Sequence, residues 1–148
     1  MKYTVRYAHL AERSKLSVGD KINNGDKIGI CGNTGASDGR HLHIDCVEGI
    51  VSIPWRLSDT ERGLPKSCPR QLNYFIDNFL FMSYFEITTP YCDPDYMVHY
   101  GKLHHGYDVV PKDRKSYGIH WNRSKEGEIV AIGEDDGYGN FIHVAFEA

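Results

Sequence analysis

The feature that most constrains this chain is a series of short runs rich in β-branched and aromatic residues, each cut off by Gly, Asn or Asp. They fall at Tyr3 to Tyr7, Ile28 to Ile30, His41 to Val47, Glu128 to Ile132 and Phe141 to Phe146. Such residues suit a pleated, half-buried surface, and the punctuating residues suit tight turns. The expected fold class is therefore mainly β. At 148 residues, the chain has the size of one domain able to bury a core without metal or disulfide staples.

A single stretch carries helical periodicity. Leu72, Phe75, Ile76, Phe79 and Leu80 line one face. Ser67 can cap this helix, and Pro69 sits in its first turn, where a missing N–H costs little. The spacing predicts a linker helix near 69–82. The preceding segment, Ser58 to Ser67, is polar and contains both Gly and Pro, as a connector does. The chain thus divides into a β half (1–57), a linker with one helix (58–84) and a second β half (85–148). Gly-Asp-Lys-Ile occurs at 19–22 and again at 25–28, far too close for a repeat architecture. It reads as two turns flanking a short loop.

Composition removes several functions. A net charge of −3 and a pI near 6.2, with no local Lys/Arg cluster, give no pull toward nucleic acid. No apolar run approaches the roughly 18 residues that span a bilayer, so no membrane insertion is expected. Met1-Lys2-Tyr3-Thr4-Val5-Arg6 does not lead into a signal-peptide core, so synthesis in the cytoplasm is the expectation. Cys31, Cys46, Cys68 and Cys92 form no C-x-x-C pair and are expected to be buried free thiols.

The chemistry gathers on histidines. His104 and Asp108 are four apart, and the following Val109-Val110-Pro111 favours an extended segment, on which residues an even number apart share a face. His41-Leu42-His43 obeys the same rule, with Leu42 turned to the core. One of these imidazoles can bind metal while its neighbour does proton chemistry. His104, Asp108 and His43 together supply two neutral imidazoles and one carboxylate, which leaves the fourth position of a tetrahedral Zn²⁺ open for water. Such a site lowers the pKa of the bound water and polarises a carbonyl. His9 and His41, if they converge there, can hold that water, stabilise a tetrahedral intermediate or protonate a leaving amine. His99, His105, His120 and His143 lack partners at ligand spacing and read as structural. The run from Gly32 to Gly39 is not a phosphate loop, because no Gly-Lys-Ser/Thr follows; it delivers His41 and His43.

In context, these residues resemble the lysostaphin-type (LytM-like) zinc metalloendopeptidases. Tyr7-Ala8-His9-Leu10, Val18-Gly19-Asp20 through Gly29, Gly32-Asn33-Thr34-Gly35 and Gly39-Arg40-His41-Leu42-His43-Ile44 match the C-terminal half of that family in order. Phe85 to Tyr91, His104 to Asp108, Glu126 to Val130 and Gly137-Tyr138-Gly139-Asn140 look like its N-terminal half, which here comes last. Joining Ala148 to Met1 would restore the usual order, so the chain looks circularly permuted, and cut ends in an exposed turn are tolerated. The resemblance implies antiparallel sheets forming an open groove with one Zn²⁺ at its floor. By motif, it assigns His104, Asp108 and His43 to metal and His9 and His41 to catalysis. The segment from Cys92 to Tyr100 lacks the family's usual Gly-x-Arg, which leaves an auxiliary tyrosine unassigned.

The implied function is hydrolysis of peptide bonds in bacterial peptidoglycan. With no signal peptide evident, delivery to the cell wall by a bacteriophage, through lysis or on a virion, is the expectation. The alternative from another class is a non-catalytic cell-wall binding or activator module, but such relatives lack ligands that are all present here. A lipoyl-like carrier would leave the histidines unexplained. The halves can pair within a monomer or between chains of a domain-swapped oligomer.

Overall fold

The computed structural model describes residues 2–48, 85–89, 98–101, 106–121 and 123–147. Within them lie β1 (Lys2–Leu10), β2 (Lys21–Ile22), β3 (Lys27–Ile30), β4 (Leu42–Glu48), β5 (Phe85–Thr89), β6 (Tyr107–Pro111), β7 (Gly118–His120), β8 (Gly127–Asp135) and β9 (Gly139–Glu147). Every run singled out by its residue types becomes a strand. The expected helix near 69–82 and the linker fall outside the described residues, where helix is limited to a turn at 98–100 among those described.

Seven strands form one antiparallel sheet in the order β2-β8-β9-β1-β4-β6-β5, curled into a half-barrel, and β3 pairs with β7 beside it. The alternation of side chains divides the large sheet into two faces. Val5 and Tyr7 on β1, Leu42 and Ile44 on β4, Tyr107 and Val109 on β6, and Ile142 and Val144 on β9 point into the core. Ile28, Ile119 and Trp121 close that core from the side of the small sheet. Each such side chain contributes about 1.5–3 kcal/mol by leaving water. Trp121 also donates its indole N–H to the Lys125 carbonyl at 2.9 Å, so its one polar atom is satisfied.

The opposite face is polar and holds the groove. Register sets its rows: His43 lies opposite Asp108 on one side and Ala8 on the other, and Arg6 lies between Asp45 and His143. The two Gly-Asp-Lys-Ile segments make the two turns expected of them. Gly19 and Gly25 adopt φ of 96° and 93°. Asp20 accepts the Ser17 N–H at 2.8 Å, and Asp26 accepts the Asn23 N–H at 2.7 Å, the same device used twice. β1 and β9 are antiparallel neighbours with Lys2 opposite Glu147, so the first and last described residues lie side by side.

Candidate active site

His9 enters the groove from a break in β1. Pairing with β9 shifts register between Tyr7 and Leu10, and His9 takes a φ of 61°, a left-handed conformation uncommon outside glycine. The surroundings hold it there. Its N–H donates to the Tyr138 carbonyl at 2.8 Å, and its own carbonyl accepts the Gly32 N–H at 2.9 Å. The ring Nδ1 stands 2.7 Å from the Thr34 carbonyl. A carbonyl only accepts, so Nδ1 carries the proton and Nε2 keeps a lone pair. Burial lowers the pKa of His9, nearby His41 and His43 lower it further, and the Thr34 bond and Asp108 only partly offset them.

Two glycine motifs dock here. Gly35 has a φ of 76°, and a Cβ on it would stand 2.2 Å from the Gly139 nitrogen. Gly139 in turn presses against Thr34. The Thr34 hydroxyl donates to the Leu10 carbonyl at 2.6 Å and accepts the Asn140 N–H at 3.0 Å. Gly-Asn-Thr-Gly and Gly-Tyr-Gly-Asn therefore form a clip between the two halves of the chain, and the clip positions His9.

His41, just before β4, and His43 on β4 share the groove face while Leu42 is buried in the core, as the alternation required. His41 Nδ1 donates to the Gly39 carbonyl at 2.7 Å, with the Ser37 hydroxyl at 3.1 Å. Its Nε2 stands 3.3 Å from Asp108 Oδ1. Burial opposes charge on His41, but the bond and charge of Asp108, the Gly39 carbonyl and Asp38 together raise its pKa. His43 Nδ1 stands 3.1 Å from the same Asp108 oxygen. The rings of His9 and His41 are 4.9 Å apart, and those of His9 and His43 are 5.9 Å apart. Thus four of the five residues singled out in the sequence, His9, His41, His43 and Asp108, converge. The fifth, His104, lies outside the described residues.

His43 and Asp108 offer the nitrogen and oxygen donors that zinc takes. Adjacent donors of a tetrahedral site with bonds of about 2.0–2.2 Å lie about 3.3 Å apart. His43 Nδ1 and Asp108 Oδ1 at 3.1 Å match one such edge. Among the described residues no group of three or more His, Cys, Asp or Glu side chains is arranged to hold a metal ion, and His104 would have to complete the set.

Three further residues surround the site and were not singled out in the sequence. Asp45 is almost wholly buried and is held by Arg6, through Nε at 2.8 Å and Nη2 at 2.5 Å. Asp45 Oδ1 also faces His43 Nε2 at 3.6 Å. The Arg6 guanidinium lies 3.7 Å from the centroid of the Tyr138 ring, a cation–π contact. The signal for Asp45 was present: His41, His43 and Asp45 follow the same period of two. Arg6 and Tyr138 come from distant segments, and only register brings them here.

The remaining expectations concern structure. Cys31 is a buried free thiol whose pKa burial pushes up to about 12, so it is inert. Nothing is described of the Cys46 side chain, and Cys68, Cys92 and His105 lie outside the described residues. His120 Nδ1 donates to the Gly25 carbonyl at 3.1 Å, on the outside of the small sheet. His143 lies on the groove face beside Phe141, with ring centroids 5.1 Å apart. No helix among the described residues is long and apolar enough to cross a membrane.

Comparison with known proteins agrees with this geometry. Residues 1–53 match the model of peptidase family M23. The chain is 36% identical over 73 residues to an uncharacterized metalloprotease of Buchnera aphidicola subsp. Baizongia pistaciae, covering 49% of this chain and 19% of that protein. It is also 29% identical over 85 residues to the secretory phospholipase A2 receptor of Mus musculus, covering 56% of this chain and 5% of the receptor. The chain thus spans a fifth or less of these relatives. No solved structure matches it. These matches support the resemblance read from the motifs, and the antiparallel, β-rich fold of the described residues is consistent with an M23 peptidase domain. That class is one of metallopeptidases, which implies a metal.

Proposed function

We propose that the chain is a zinc-dependent endopeptidase that hydrolyses peptide bonds of bacterial peptidoglycan. The observation that carries this reading is the convergence of His43 Nδ1 and His41 Nε2 on Asp108 Oδ1, at 3.1 and 3.3 Å, with the His9 ring 4.9 Å from that of His41. His43, Asp108 and His104 would hold the zinc. Bound zinc supplies a Lewis acid for the scissile carbonyl and brings the pKa of a water toward neutrality. His9, with Nδ1 locked on Thr34, offers Nε2 to accept a proton from the attacking water. His41, with Nδ1 held by the Gly39 carbonyl, presents Nε2 to the developing oxyanion or to the leaving amine.

The same reading extends to domain order and place of action. The pairing of β1 with β9, Lys2 against Glu147, supports a circular permutation in which the peptidase's N-terminal half follows its C-terminal half in a single domain. The setting we propose for this activity is bacteriophage lysis or a virion-borne wall-cutting enzyme. The deciding experiment measures zinc per chain by elemental analysis, and release of new amino groups from purified peptidoglycan with and without a chelator. About one zinc per chain with chelator-sensitive release is expected. Zinc without release would remove the proposed substrate, and a chain that binds no zinc would remove the proposed site.

A further inference from the structure

The mechanism leaves one buried charged group unused. Asp45 sits on the groove face of β4, two residues beyond His43, and is 3% exposed. A carboxylate taken out of water at that depth needs a cation, and Arg6 supplies one through two bonds. Arg6 is itself fixed, because its plane is stacked on Tyr138 and β1 register sets it opposite Asp45. The Asp45 carboxylate is therefore aimed rather than free to swing. One of its oxygens faces the Nε2 edge of His43 at 3.6 Å, while Nδ1 on the other edge faces Asp108 at 3.1 Å. Tyr138 packs against the same ring, with centroids 5.9 Å apart.

Building on the zinc reading, we infer that Asp45, clamped by Arg6 over Tyr138, is a positioning residue for His43. Once Asp108 is engaged by the metal, the negative charge of Asp45 at the Nε2 edge favours the proton on Nε2, which leaves the Nδ1 lone pair for the metal. It also makes the imidazole a stronger donor and restrains rotation of the ring. Asp45 does not touch substrate, so its effect runs through His43.

The test measures zinc affinity of the full chain by competition with a chromogenic chelator, alongside thermal melting and ¹⁵N-histidine spectra that report the His43 tautomer. The variants are D45N and the double substitution R6Q/D45N. The double removes both charges, so it keeps the test alive if D45N strands Arg6 and fails to fold. The expected result is an affinity about 10- to 100-fold weaker in the folded variants, with His43 losing its Nε2–H preference. Wild-type affinity and an unchanged tautomer in either folded variant would overturn the role of Asp45 and leave the zinc site standing. A wild-type chain that takes up no zinc would overturn the site reading, and this inference with it.

Discussion

His9 and His43 are held in the groove by different means, while His41, beside His43, shares the backbone-carbonyl device of His9. On the β1 side, the His9 ring is fixed by a neutral backbone carbonyl of Thr34, on a loop clipped in place by Gly35 against Gly139. On the β4 side, both edges of His43 face carboxylates, Asp108 and Asp45. A carbonyl fixes a ring without adding charge, so His9 stays neutral, its pKa lowered by burial, and fit to take up a proton. Under the proposed function, this contrast would separate proton transfer at His9 from metal binding at His43.

The contrast breaks most directly at its charged side. His43→Ala is expected to lose metal and turnover together, with zinc well below one per chain and activity down by at least about a thousandfold. Elemental analysis beside a kinetic assay reads both, and full zinc occupancy would show that His43 is not a ligand. The neutral side should fail differently. His9→Ala is expected to keep its zinc and to lose turnover by about 10²–10⁴-fold, the usual worth of a positioned general base. Parallel loss of zinc would mean that the two sides are not separate.

Smaller effects sharpen the picture of the clip. Gly35→Ala puts a Cβ into the Gly139 backbone at a positive φ and should cost about 2–3 kcal/mol, read by denaturant unfolding. An unchanged midpoint would mean that the two glycine motifs do not need to touch. Ser37→Ala removes one contact to His41 Nδ1 while the Gly39 carbonyl remains, so turnover should fall by less than about fivefold. The smallest effect is expected from joining Ala148 to Met1 through a short turn while leaving the rest of the chain alone. Because Lys2 and Glu147 are already partners, circular dichroism and turnover should stay within about twofold of the open chain. Collapse of the fold on closure would remove the permutation reading.

Much of this was legible in the residues. β1, β3, β4, β8 and β9 follow from period-two alternation and turn residues, because both are local signals. The placement of His41 and His43 on one face, with Leu42 inward, follows from the same alternation. β2 and β7, two and three residues long, carried no pattern long enough to read, and pairing with β8 and β3 creates them.

Residue type and short spacing alone set the candidate donors, the strands that carry them and the family resemblance. Which side chains face one another came from the folding of distant segments together. The left-handed turn at His9, the docking of Gly35 on Gly139 and the clamp of Arg6 on Asp45 join segments 39 to more than 100 residues apart. Contacts of that kind arise from register and chain crossing, which no local pattern of residues encodes.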